Sequence, residues 1–205
     1  MKAKAIGQAA GAICWVGMVG AAHGGGVVSE CTQDALEAAI VGGGEVTFAC
    51  ETPVIDITRP LQFGQIEVSI NGEQDNGPVR LVASDASPTR LVQVQDTATV
   101  TLANLVLSGG RADAGAAAKN FGTLRLNNVN VSGNHADSVG GGIENFGVLE
   151  AAGLRIANNS APVGGGLYNA GLATVTQATF VGNTSGSVGS AIENLGEIRL
   201  ANATI

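Results

Sequence analysis

Four copies of Asn-x-Gly divide the C-terminal half of the chain into nearly equal blocks, and this period constrains the fold more than any other feature. The copies are Asn120-Phe121-Gly122, Asn145-Phe146-Gly147, Asn169-Ala170-Gly171 and Asn194-Leu195-Gly196, at spacings of 25, 24 and 25 residues. Apolar residues recur in the same order between them. The first block carries Leu124, Leu126, Val129, Val131, Val139 and Ile143, and the second carries Leu149, Ala151, Leu154, Ile156, Val163 and Leu167. The third carries Ala173, Val175, Ala178, Phe180, Val188 and Ile192. Each block thus holds two short alternating pairs, a Gly-rich corner and further inward residues. Alternation at period two puts a pair on one face of a strand, and the sustained 3.6-residue pattern of a helical repeat is absent.

A block of this kind describes one turn of a parallel β-helix, stacked about 4.8 Å from the next so that equivalent residues form columns. Asn120, Asn145, Asn169 and Asn194 are expected to form one column, and Asn134, Asn159 and Asn183 another. Both are read as structural, because stacked Asn side chains link to one another and satisfy turn amides, and Asn tolerates left-handed backbone. The corners at Gly140-Gly141-Gly142 and Gly164-Gly165-Gly166 carry the same structural reading, with Gly142 and Gly166 permitting positive φ or close approach between turns. They lack the lysine and hydroxyl of a phosphate loop and the helix that follows a dinucleotide loop. The segment from Asp96 overlays the one from Asn120 at an offset of 24, so the repeat extends below its first clear signature.

The N-terminal region is organised differently. Lys2 and Lys4 precede an apolar stretch ending in Gly20-Ala21-Ala22, which reads as a secretory signal over residues 1–22. Residues 23–58 are expected to form a cap, and residues 59–205 the β-helix, its clearest turns starting at 96. Cys31 to Ile40 reads as a short helix with Thr32 as N-cap and an apolar stripe of Leu36, Ala39 and Ile40. Its place ahead of the rungs suits it to cover their open end, where apolar interior and backbone groups would otherwise be exposed. Strands are expected at Glu45–Ala49, Val54–Ile57, Ile66–Ile70, Val79–Val82, Leu91–Val94 and Thr99–Leu102. Loss of the leader would leave Cys31 and Cys50, either paired in an oxidising compartment or as two buried thiols.

These motifs resemble a repeat pattern written Gly-Gly-[Ala/Gly]-Ile-x-Asn-x-Gly with Phe-x-x-Asn. It marks polymorphic outer-membrane proteins and related bacterial right-handed β-helix adhesins and surface proteins. Gly141-Gly142-Ile143-Glu144-Asn145-Phe146-Gly147 and Gly165-Gly166-Leu167-Tyr168-Asn169-Ala170-Gly171 carry the first motif, and Phe180-Val181-Gly182-Asn183 the second. The resemblance covers roughly residues 30 to 205 and implies an all-β, right-handed, single-stranded parallel β-helix with a short N-terminal capping helix. It also implies a non-catalytic scaffold, secreted or on the outer surface of a bacterium, for adhesion or surface display. Its expected partner is a host or cell-surface protein or a glycan. The segment from Cys31 through Cys50 looks like the N-terminal cap of many secreted members. The chain carries no C-terminal β-barrel translocator of the chlamydial type, and its last copy is incomplete at Ile205. We therefore expect a fragment of a longer surface protein, or an end covered by a downstream domain or a second copy.

Charge narrows the function further. With 10 basic and 17 acidic residues, the net charge of −7 leaves little to displace counterions from phosphates, which argues against nucleic acid. The alternative is a polysaccharide-active enzyme of the pectate-lyase type, in which Asp75, Asp85 and Asp96 would converge with Arg80 or Arg90 around calcium. The column order favours a plainer reading. It sets Arg125 beside Glu150 and Lys119 beside Glu144, as ordinary cross-strand pairs, with Tyr168 and Glu193 continuing the second column. Asp75, Asp85, Asp96, Asp113 and Asp137 are expected in loops without calcium-loop spacing, and His23 and His135 in unrelated surroundings. No catalytic residue, cofactor or metal is assigned.

Overall fold

In the computed structural model the described residues are 25–205; the leader read over 1–22, with Cys14 and His23, lies outside them. One rung follows from its own residues. Thr123–Asn127 forms a strand, Asn128 turns the chain with φ 53°, and Asn130–Ser132 forms a second strand. Gly133 turns it again, His135–Val139 forms a third strand, and Ile143–Asn145 a fourth. The Asn-x-Gly corner then delivers the chain to Val148–Ala152, directly above the starting strand. Every strand pairing is parallel, and the strands assemble into four sheets of eight, six, four and six strands in order round the rung. The architecture is a right-handed parallel β-helix.

The expected columns are present. Val100, Leu124, Leu149, Ala173 and Ile198 are in register, as are Leu102, Leu126, Ala151, Val175 and Leu200. Leu124, Leu126, Val131, Ile143, Leu149, Ile156 and Leu167 are fully buried in one continuous apolar core. Aliphatic columns suit this interior, because each side chain packs on its equivalents above and below, and Phe48, Phe63 and Phe180 are the rings buried among them.

The third sheet departs from the sequence reading. Its strands are Arg111–Ala114, His135–Val139, Ser160–Val163 and Thr184–Val188, so Asp113 and Asp137 lie in strands and not in loops. Val139 and Val163, read as inward, are half-buried, and Val188 is exposed. The residues that point inward here are Ala136 and Ala161, which with Ala116 fill a separate small apolar compartment. Apolar size alone misplaced the valines: the inward positions of this sheet carry alanine methyls, beside corners where a Cβ on Gly141 or Gly165 would meet the Ser160 or Thr184 carbonyl oxygen.

The same sheet absorbs the irregular spacing. Asn120, Asn145 and Asn169 each precede Asn134, Asn159 and Asn183 by 14 residues, whereas the return to the next Asn-x-Gly takes 11, 10 and 11. His135 pairs with Ser160 and Val139 with Val163, so the longer strand carries one residue more than its neighbour and the register shifts between them. A one-residue bulge thus keeps the other three sheets in phase.

At the N-terminal end, Gln33–Ile40 is helical, and Thr32 Oγ1 accepts a hydrogen bond from Ala35 N at 3.2 Å. Leu36 and Ile40 are buried and Ala39 packs against the core, with the helix lying on the strands Gly25–Val28 and Gly44–Phe48. Gln33, absent from the expected stripe, is also buried; it donates to Arg59 O at 2.7 Å and accepts from Thr58 N at 2.8 Å, clamping the helix to the next loop. Cys31 and Cys50 form a disulfide with Cα atoms 5.7 Å apart, which ties the start of the helix to the chain leaving Gly44–Phe48. Gly25–Val28 and Leu61–Phe63 are strands for which the sequence offered too short or too glycine-rich a signal.

Candidate functional site

The two Asn columns form hydrogen-bonded ladders. Asn120, Asn145 and Asn169 each donate from Nδ2 to the Oδ1 of the next Asn at 2.7 Å, ending at Asn194. They also donate to Val148, Leu172 and Glu197 carbonyls, tying each Asn to the strand that starts the following rung. Below Asn120 the column continues as Val94 and Phe63, and Asn120 Oδ1 accordingly has no hydrogen-bond partner. Asn134 and Asn159 donate from both backbone N and Nδ2 to the next Asn Oδ1, at 2.9 to 3.0 Å. None of these seven residues has positive φ. A different set does that work: Asn104, Asn128, Asn158 and Asn202 all lie at φ 53–54°. Asn128 and Asn104 add a short outer ladder to Asn71, at 2.8 and 2.9 Å.

The glycine triplets divide their two expected roles by position. Gly140 and Gly164 hold positive φ, while a Cβ on Gly142 or Gly166 would press on the carbonyl oxygen of the next rung. These features are internal except at the last rungs, where Asn183 is half-buried and Asn194 exposed. They join each rung to the next.

The exposed aromatic residues gather beside the fourth sheet, where alternation turns every second residue outward. Gln62, Gln93, Lys119, Glu144, Tyr168 and Glu193 follow one another in register. Phe121 and Phe146 occupy the middle position of Asn-x-Gly at the adjoining corner, followed along it by Ala170 and Leu195. The rungs approach so closely at this corner that a Cβ at Gly147 would run into the Gly122 and Phe121 carbonyls. Phe121 and Phe146 are 38% and 45% exposed, with parallel rings whose centroids are 5.4 Å apart. Tyr168 meets Phe146 edge-on at 6.5 Å.

Beside the ring stack, Lys119 Nζ lies 5.5 and 5.9 Å from the two centroids and 2.8 Å from Glu144 Oε2. The sequence reading placed this pair among ordinary exposed cross-strand pairs, and that is corrected here: the Glu144 side chain is only 4% exposed and that of Lys119 18%. The turn at Gly115 covers Glu144, and a Cβ there would meet the Glu144 Cβ at 2.9 Å. Arg125 and Glu150, by contrast, form the expected surface pair at 2.8 Å.

Arg90 holds that covering turn. Its Nε donates to Ala114 and Gly115 carbonyls at 3.2 and 3.1 Å, Nη1 to Gln93 Oε1 at 3.0 Å, and Nη2 to Asp113 Oδ1 at 2.6 Å. Partial desolvation works against ionisation of Asp113, but the Ala114 N–H together with the Arg90 and Lys119 charges outweighs it and lowers the carboxyl below its ordinary range. Arg90 therefore meets Asp113 and not the lyase set, and Asp85 is paired with Arg111 at 3.1 Å. Among the described residues no group of three or more His, Cys, Asp or Glu is placed to hold a metal ion. His135 Nδ1 lies 2.8 Å from Ser160 Oγ and its Nε2 3.4 Å from Asp137, an open surface chain that the sequence reading did not connect.

The aromatic corner was present in the sequence as the variable letter of Asn-x-Gly, beside Tyr168 in the next column, but the motif directs attention to its constant letters. Compared with protein-family models, curated proteins and solved structures, the chain has no match.

Proposed function

We propose that this chain is a non-catalytic recognition scaffold, secreted or held at a bacterial outer surface, that serves adhesion or surface display through one long side. The reading extends the likeness of its repeats to polymorphic outer-membrane proteins. The observation that carries it is the exposed Phe121–Phe146 corner with Tyr168, where the other phenylalanines among the described residues, Phe48, Phe63 and Phe180, are buried in the core. Clustered exposed aromatics on a rigid wall are what a binding surface needs, since they supply contact area at small entropic cost. The Cys31–Cys50 disulfide supports an oxidising location. Within the face, Lys119 and Arg90 are held against Glu144 and Asp113, which suits fixed recognition better than proton transfer.

The test is binding of the labelled chain to intact bacterial and animal cells and to extracellular matrix, read by flow cytometry and interferometry. Saturable binding, weakened at least tenfold in Phe121→Ser/Phe146→Ser with unchanged unfolding, is the expected result. Absence of binding to every surface, or binding indifferent to both rings, would refute the proposal.

A further inference from the structure

We propose that two copies of this chain pair face to face through their first sheets, with the stacks antiparallel and a two-fold axis between Arg125 and Glu150. Six neighbouring strands of that sheet, from Glu67–Asn71 to Glu197–Ala201, are five residues long and in unbroken register. Each turns its first, third and fifth side chains outward. Apart from five charged residues, these are Thr, Ala, Asn, Ser, Val and Leu, short enough for two such sheets to close to about 10 Å. Two of the five are cations and three are carboxylates, so the face is close to neutral on a chain of net charge −7, and self-association meets little repulsion there.

Charge fixes the arrangement. Arg125 and Glu150 lie on adjacent strands in the middle outward column, between Thr101 and Thr174. In a two-fold pair with parallel stacks this column would lie on its own copy, Arg125 against the partner's Arg125, and like charges so placed oppose association. With antiparallel stacks each Arg125 faces the partner's Glu150, and the 2.8 Å surface pair of each chain joins a cluster of four alternating charges. The uncharged positions then match in size: Thr123 meets the partner's Val148, Asn127 the partner's Ala152, and Thr101 the partner's Thr174. A shallow depression of about 290 Å³ bounded by Arg125, Glu150 and Thr176 lies where the partner's Arg125 and Asn127 would enter. The one like-charge contact, Glu197 with the partner's Glu67, has Arg199 beside it, 2.6 Å from Glu197.

The six strands present about 480 Å² of face at ordinary strand rise and spacing. A standard interface covers about 800 Å² on each partner, so this contact is weak and reversible. Its two-fold runs along the strands, and both copies therefore turn the corner that precedes Thr123 to the same margin of the interface. The two Phe121–Phe146 corners come to lie side by side, and a surface that engages one engages both, with the gain of a bivalent contact. The pairing itself is independent of what the corner binds.

The experiment is sedimentation velocity of the full chain over a micromolar to millimolar concentration range. The expected result is a reversible monomer–dimer equilibrium, weakened at least tenfold in Arg125→Glu and in Glu150→Arg, with unchanged urea midpoints showing that both variants fold. Mixing those two variants should restore the dimer as a heterodimer, because one then presents only carboxylates at the axis and the other only cations. Thr101→Cys mixed with Thr174→Cys should give a disulfide-linked dimer on a non-reducing gel, which neither gives alone. A monomer at every concentration, a dimer indifferent to both charge variants, or a mixture no more associated than its components would overturn the inference. So would loss of the dimer in Phe121→Ser/Phe146→Ser, which would move the contact to the aromatic corner. Dimerisation without any cell-surface binding leaves the pairing standing and removes the recognition scaffold, and surface binding by a strict monomer does the reverse.

Discussion

Asn145 shows how much one residue does in this molecule. Its Oδ1 accepts from Asn120, and its Nδ2 donates to Asn169 Oδ1, Leu172 O and Gly147 O, all inside the wall. Asn145→Ala should destabilise the protein by about 2 to 3 kcal/mol, because buried polar partners are left unsatisfied on both neighbouring rungs. A urea midpoint within error of the parent would disprove the ladder's contribution. Asp113 offers a second test, with a sign that can be worked out. Its folded pKa lies below the unfolded value, so its contribution is present above the unfolded pKa and is lost as pH falls through the folded one. Stability measured below about pH 4 should therefore fall less steeply in Asp113→Asn than in the parent. An identical acid limb would show that the Arg90–Asp113 contact is not coupled to folding. The Asn columns and the Arg125–Glu150 pair were legible before any coordinates, because equal spacing is enough to put residues in one column. Burial of Glu144 was not, since it depends on a turn from the third sheet folding over the fourth.

Elements in this fold differ in how firmly their sequences announce them. Thr123–Asn127 and its equivalents alternate over five residues and sit on the main core. The third-sheet strands carry only one small inward residue each, Ala136 or Ala161, and read as loop. That difference can be measured. Ala136→Leu should cost about 1 to 3 kcal/mol by overpacking the alanine compartment, whereas Val139→Ala, at a half-buried position, should change stability by less than about 1 kcal/mol. The reverse order in thermal unfolding would restore the valines to the interior. The capping helix was legible from Thr32 and its apolar stripe, while the Gln33 clamp to Thr58 and Arg59 was not, because a glutamine shows no sign of being buried until its partners are in place.

Across the whole molecule, stability comes from repetition: each rung buries its aliphatic columns only because a neighbour lies above and below. Leu126 sits in the middle of such a column, fully buried between Leu102 and Ala151. Leu126→Asp should unfold the protein or cost more than about 4 kcal/mol, since an unpaired carboxylate would lie where no cation or solvent reaches. A folded variant with near-parent denaturant resistance would contradict the single shared core. The sequence by itself determined the rung, the stack and the columns, because a strict period with aliphatic spacing has one economical packing. Tertiary structure alone decided which outward residues matter. The bulge in the third sheet, the Arg90-held turn over Glu144 and the stacking of Phe121 on Phe146 beside Lys119 all depend on how backbone corners from different sheets approach one another. A period specifies which residues share a column, but the closeness of two corners is set by the packing between columns, and that is where this protein places its aromatic face.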